Sequence, residues 1–99
     1  IDMPARYGGE EFAIVVPDEA VAEAAHLAER CREALASSRI RTRVASVSVT
    51  ASFGVADSRG GGTADALVRR ADEALYRAKT AGRNRVAQAC EPLADATPP

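Results

Sequence analysis

Apolar positions along the chain follow two patterns, one with the period of a strand and one with the period of a helix. Two short apolar runs, Met3 to Tyr7 and Phe12 to Val16, flank a Gly-Gly pair. Two such runs around glycines predict a β-hairpin with a tight turn, because glycine supplies the positive φ that tight turns need. The second run is apolar throughout, which predicts a central strand covered on both faces. Pro17 ends it. Asp18 is then placed as an N-cap, with Glu19 and Glu23 in or near the first turn. Val21, Ala24, Ala28, Cys31 and Leu35 recur at helical spacing, as do Leu27 and Ala34. This predicts an amphipathic helix from about Glu19 to Ala36 with Cys31 in its core stripe.

Ser37 to Arg43 reads as a polar connection. Val44 to Val55 alternates β-branched, small and polar residues, as one long strand or two short ones do. Asp57 to Gly62 reads as a flexible loop. Thr63 caps a second helix with Asp65 in its first turn, and Leu67, Ala71, Leu75 and Ala78 form its apolar stripe. Tyr76 is expected against the sheet. Gly82 stands where a helix-ending glycine belongs. Asn84 to Ala89 predicts a last short strand. The segment 90–99 holds three prolines and reads as a disordered tail. The element order is strand, strand, helix, strand, helix, strand, that of an α/β chain.

Composition narrows the classes. The 13 Lys and Arg nearly balance the 14 Asp and Glu, for a net charge of −1. That balance gives no general pull toward nucleic acid or anionic membrane. No run approaches the roughly 18 apolar residues of a membrane span. Cys31 and Cys90 are too few for a disulfide scaffold and are not metal-spaced, which fits a reducing, cytoplasmic setting. His26 is the sole histidine and reads as a surface or boundary position. The basic residues are almost all arginine, and Lys79 is the single lysine. Lys and Arg are not interchangeable where a compact point charge is needed. The chain opens at Ile1, in what reads as a strand entering a turn. This leads us to expect a piece of a longer protein.

The chemistry concentrates in two places. In Arg6-Tyr7-Gly8-Gly9-Glu10-Glu11-Phe12, two carboxylates follow two glycines. Glycines admit a close ligand, since no Cβ stands in the way. The glutamates offer hard oxygen donors to a divalent cation, which could bridge to phosphate. The same residues also suit a plain hairpin with a solvated acidic corner. Lys79 and Arg83 stand four apart at the end of the second helix, a spacing that brings them together to grip a polyphosphate. Cations there equally complement the helix dipole.

Taken together, Arg6 to Phe12, Ser52-Phe53-Gly54-Val55 and Ala71 to Asn84 (ADEALYRAKTAGRN) resemble the GGDEF family, the diguanylate cyclases, in order and in spacing. The resemblance covers residues 1–89 and leaves the tail outside. It implies an α/β (α+β) sandwich with a palm-like, ferredoxin-like mixed sheet and helices, akin to nucleotide polymerases and nucleotidyl cyclases. It also implies condensation of two GTP into cyclic di-GMP with release of two pyrophosphates, in a homodimer. Mg²⁺ or Mn²⁺ would serve as cofactor. Gly8 and Gly9 would bed the nucleotide. Glu10 would bind metal and accept the 3′-hydroxyl proton, and Glu11 would assist. Lys79 and Arg83 would hold the β- and γ-phosphates.

Many members also bind their product, as an inhibitor, at an Arg-x-x-Asp motif. Asp2, six residues before Gly8, takes the place of its aspartate, and Arg30 that of a second arginine. The motif's first arginine would precede Ile1. The resemblance places a further metal-binding aspartate, the guanine-reading Asn and Asp and a phosphate-facing lysine upstream of Ile1 as well. The sheet would thus be truncated on its N-terminal side, leaving Phe12 to Val16 with an exposed edge. The expectation is a cyclase in the parent protein, downstream of a sensory domain, with this piece inactive alone. The alternative is a non-catalytic module that binds GTP or cyclic di-GMP and regulates a partner.

Overall fold

The structure, a computed structural model, describes residues 3–6, 12–15, 20–59 and 61–89. Eight elements follow in order: β1 (Met3–Arg6), β2 (Phe12–Val15), α1 (Val21–Ala36), β3 (Ile40–Arg41), β4 (Ser46–Val47), β5 (Phe53–Val55), α2 (Ala64–Thr80) and β6 (Val86–Gln88). Three strand pairs form: β1–β2 and β3–β4 are antiparallel, and β5–β6 is parallel. The hairpin at the chain's start is present as expected. Its register pairs Arg6 with Phe12, so residues 7–11 connect the strands. That connection is wider than a two-residue turn. Among the described residues β2 pairs with β1, and Ile14 is 52% exposed rather than covered on both faces.

The core lies on the β5–β6 pair. Successive strand residues point to opposite faces, and β5 uses both. Phe53 and Val55 meet Ala25 and Ala28 of α1, with Val21, Ala24 and Val86 around them. Gly54 meets α2 on the other face. A Cβ there would fall within contact of the Ala71 carbonyl oxygen and the Leu75 amide nitrogen, and 2.8 Å from Leu75 Cα. Helix α2 buries Ala74 and Ala78. The result is a small three-layer unit built mostly from alanine and glycine, which lets backbones approach closely.

This narrow core corrects two side-chain expectations. Cys31 and Ala34 are exposed rather than in the stripe. A sixteen-residue helix is about 24 Å long, while a three-residue strand covers about 10 Å. The later turns of α1 therefore run past the sheet. Tyr76 is 69% exposed. It follows Ala74 by two residues, about 200° around the helix, on the side away from β5. His26 is exposed.

The helix ends show which signals were local. Thr63 Oγ1 accepts the amide N–H of Ala66 at 3.1 Å, as its position predicts. The other N-terminus differs: the cap residue of α1 is Ala20, whose side chain makes no capping bond. Asp57 Oδ2 accepts the Val21 N–H instead, at 3.0 Å, from 36 residues away. Its Oδ1 accepts Arg59 N–H at 3.2 Å, and its carbonyl accepts Arg70 Nη2 at 2.5 Å. The start of the predicted flexible loop is therefore a joint between α1, β5 and α2. Asp57→Ala should lower stability by about 1 kcal/mol, the value of a lost cap. Chemical denaturation checks this, and a loss below about 0.3 kcal/mol would show that water replaces the cap.

Segment 44–55 resolves into two short strands, β4 and β5, one of the two alternatives read from it. The connection expected over Ser37 to Arg43 contains β3. Its turn is closed by Thr42, whose Oγ1 accepts the N–H groups of Ala45 and Val44. The tail expected over 90–99 lies outside the described residues. No helix among the described residues is long and apolar enough to cross a membrane.

Candidate functional site

Of the residues singled out by chemistry, Asp2, Gly8, Gly9, Glu10 and Glu11 lie outside the described residues. Lys79, Arg83 and Arg30 are placed. Lys79 is half-buried in the last turn of α2. Arg30 is exposed on α1. Among the described residues no group of three or more His, Cys, Asp or Glu could hold a metal ion.

Arg83 is not on the helix, so the four-residue spacing with Lys79 is not a helical one. Helix α2 stops at Ala81, its C-cap. Gly82 takes φ 131°, its N–H meets the Lys79 carbonyl at 3.4 Å, and Arg83 N–H meets the Ala78 carbonyl at 3.0 Å. This pair of bonds satisfies carbonyls that the helix end leaves open. The reversal continues past the glycine: Arg83 has φ 64° and Asn84 φ 49°. Asn tolerates the left-handed region through its short polar side chain, whereas Arg has no such advantage, and each such L-residue costs about 1 kcal/mol. Arg83 is exposed on this strained turn.

The turn persists because neighbours hold it. Asn84 N–H donates to Ser52 Oγ at 3.0 Å. Phe53 N–H donates to the Arg85 carbonyl at 2.9 Å, which begins the β5–β6 pairing. From the other face of the sheet, Arg32 Nη1 of α1 donates to Asn84 Oδ1 at 2.9 Å. Glu29 grips the same guanidinium through two parallel bonds, Nε to Oε1 at 2.8 Å and Nη2 to Oε2 at 2.6 Å. Arg32's hydrogen bond holds the Glu29 carboxyl below its ordinary value of 4.5, and Glu29 in turn raises the guanidinium.

Arg32 and Glu29 were passed over in the sequence. Opposite charges three apart on a helix read as a surface pair, and nothing local indicates that the arginine reaches residue 84. Ser52 and Asn84 stood inside recognised motifs but had no assigned role.

The family described as diguanylate cyclase, GGDEF domain, matches residues 1–85. Response regulator PleD of Caulobacter vibrioides is 46% identical over 89 residues, which cover 87% of this chain and 20% of PleD. Diguanylate cyclase VdcA of Vibrio cholerae is 43% identical, over 82% of this chain and 25% of VdcA. The chain thus spans a fifth to a quarter of the length of these relatives.

Among solved structures, the GGDEF domain of DgcB from Caulobacter crescentus, in complex with c-di-GMP, superposes with a TM-score of 0.83 at 38% identity. It covers 91% of this chain and 53% of that one. Diguanylate cyclase SiaD of Pseudomonas aeruginosa, in complex with its activator SiaC, gives 0.80 at 39% identity, over 89% of this chain and 34% of that one. The mixed α/β, palm-like fold expected from the motifs is therefore the fold these domains share. With the family match extending from residue 1 to residue 85, the chain belongs to the GGDEF family of diguanylate cyclase domains.

Proposed function

We propose that the protein carrying this chain is a diguanylate cyclase that condenses two GTP into cyclic di-GMP. The observation that carries this reading is the intact run Gly8-Gly9-Glu10-Glu11-Phe12 together with Lys79 and Arg83 at the end of α2, in a chain of this family. Phosphoryl transfer asks little covalent work of a protein, and mainly positioning and charge stabilisation. Gly8 and Gly9 let the nucleotide lie against the hairpin connection. Glu10 accepts the proton of the ribose 3′-hydroxyl of one GTP. That oxygen bonds to the α-phosphorus of the other GTP, and the bond from this phosphorus to the oxygen bridging toward the β-phosphate breaks. Pyrophosphate leaves, and the step repeats to close the ring with a second pyrophosphate. Lys79 as a point charge and Arg83 as a planar fork hold the β- and γ-phosphates. Glu10 and Glu11 would hold Mg²⁺ or Mn²⁺, which offsets phosphate charge that the carboxylates would otherwise repel.

The two GTP require two domains facing each other, hence a homodimer. We further propose that Arg30 and Asp2 contribute to a product-binding site. DgcB solved with c-di-GMP supports nucleotide binding in such domains, and SiaD solved with its activator supports control through a protein partner. An upstream sensory domain and a cytoplasmic setting complete the reading. The 99-residue chain alone should form no product. It covers 53% of the DgcB chain, and the family resemblance is what leads us to expect the guanine-reading residues outside it.

The test is incubation of the full-length protein with GTP and Mg²⁺, followed by chromatography for cyclic di-GMP. Product is expected. Its absence, with tight guanine-nucleotide binding retained, would overturn the enzyme reading in favour of a regulatory module. Lys79→Ala and Arg83→Ala should each raise KM for GTP about 10- to 100-fold, the worth of one charge-assisted hydrogen bond. Their kcat should change little, because these contacts exist in ground and transition states alike. An unchanged KM in initial-rate measurements would remove both residues from the phosphate site.

A further inference from the structure

We propose that Arg32 is a positioning residue for Arg83, acting across the sheet through Asn84. This rests on the reading of Arg83 as a phosphate-binding residue. The geometry has three parts. The Glu29 carboxylate takes Nε and Nη2 of Arg32, at 2.8 and 2.6 Å, which fixes the plane of the guanidinium. The remaining Nη1 is aimed at Asn84 Oδ1, 2.9 Å away. Asn84 is in turn the residue after Arg83, and both hold positive φ.

A backbone in that region returns to ordinary dihedrals when its restraints go. The restraint supplied by Ser52 acts on the Asn84 backbone. The one supplied by Arg32 acts on the side chain, and so selects the turn in which that side chain faces α1. Arg32 is only 19% exposed in its side chain, and its two bonds to Glu29 are part-buried, so the fork stays oriented although the bond it makes to Asn84 is exposed. A lysine could not reproduce it, because it lacks the fork that binds Glu29 and Asn84 at once. No ligand contact is needed for Arg32 to matter. Its loss frees the turn, and Arg83 must then be ordered on binding, at the expense of affinity.

The experiment uses the full-length protein with Arg32→Ala, Asn84→Gly, Arg83→Ala and the Arg32→Ala/Arg83→Ala pair. Readouts are GTP dissociation constants by calorimetry, and KM and kcat for cyclic di-GMP. Asn84→Gly keeps access to positive φ and removes the acceptor, so it reports on the clamp even where Arg32→Ala fails to fold. Arg32→Ala and Asn84→Gly should each weaken GTP binding and raise KM about tenfold, with kcat within about twofold. In the Arg83→Ala background, Arg32→Ala should add less than about twofold, since the residues act as one unit.

A merely structural role would leave the two effects independent, so full additivity overturns the proposal. So does unchanged GTP affinity in both clamp variants. Wild-type protein that neither binds GTP nor forms product overturns the functional reading and this proposal together. Normal wild-type behaviour with indifferent clamp variants overturns the positioning role alone.

Discussion

Glu10→Gln in the full-length protein should lower kcat for cyclic di-GMP by about 10²- to 10⁴-fold, the usual contribution of a positioned general base. Glutamine keeps the size of the side chain and one carbonyl oxygen. It loses the charge, cannot take up the 3′-hydroxyl proton, and is a poorer ligand for a hard cation. The affinity for GTP should fall far less, because Lys79 and Arg83 are untouched. The variant therefore separates from Arg83→Ala by its kinetic signature: kcat collapses in one, KM rises in the other. Chromatographic product formation at saturating GTP measures it, with thermal unfolding as the check on the fold. Activity within threefold of wild type would remove Glu10 from the chemistry. Glu11→Gln provides the comparison, since the two carboxylates need not share one task.

Gly54→Ala should be the most damaging single-methyl change in the described part of the chain. The added Cβ would meet backbone atoms of α2, the Ala71 carbonyl and the Leu75 amide, rather than a side chain that can turn aside. Strand β5 would have to part from the helix, uncovering Ala74 and Ala78, which are 0% and 1% exposed. Overpacking against movable side chains costs about 1–3 kcal/mol, and a rigid neighbour puts this site at the top of that range. A loss of about 3 kcal/mol lowers Tm by roughly 12–24 °C in a domain of this size. Calorimetry or circular dichroism reads it. A drop below about 4 °C would show that β5 and α2 slide apart cheaply. The glycine in Ser52-Phe53-Gly54-Val55 is thus a packing requirement. By holding β5 against α2 it also keeps Ser52 beside Asn84.

The local signals in the sequence were sufficient where the physics is local. Thr63 caps α2 because its hydroxyl and the Ala66 amide lie within one turn. Gly82 ends α2 because only glycine takes that φ without cost. The hairpin Met3–Arg6 with Phe12–Val15 and the strand Val86–Gln88 follow from short apolar runs between breakers. The family was also legible, since three motifs in order are a property of the sequence itself.

What failed to show was everything that depends on how far one element extends over another. Cys31 and Tyr76 have apolar spacing, yet the strands beneath their helices are too short or lie on the other side. Asp18 has the chemistry of an N-cap, yet the cap of α1 comes from Asp57, across the core.

The same division runs through the candidate site. Residue types, spacing and the family resemblance nominated its members: Gly8, Gly9, Glu10, Glu11, Lys79 and Arg83 offer charges and openings that would suit a nucleotide and its metal. Tertiary structure decided how Arg83 is presented. The spacing placed it one helical turn beyond Lys79, whereas the fold ends the helix before it and sets it on a left-handed turn. That conformation is costly for an arginine, and the local helix-ending bond from Arg83 N–H to the Ala78 carbonyl is joined by bonds from afar. Bonds to the following residue, Asn84, from Ser52 just before β5 and from Arg32 on the opposite helix hold it, and these partners, 32 and 52 residues from Asn84 in sequence, become its neighbours only once the chain has folded.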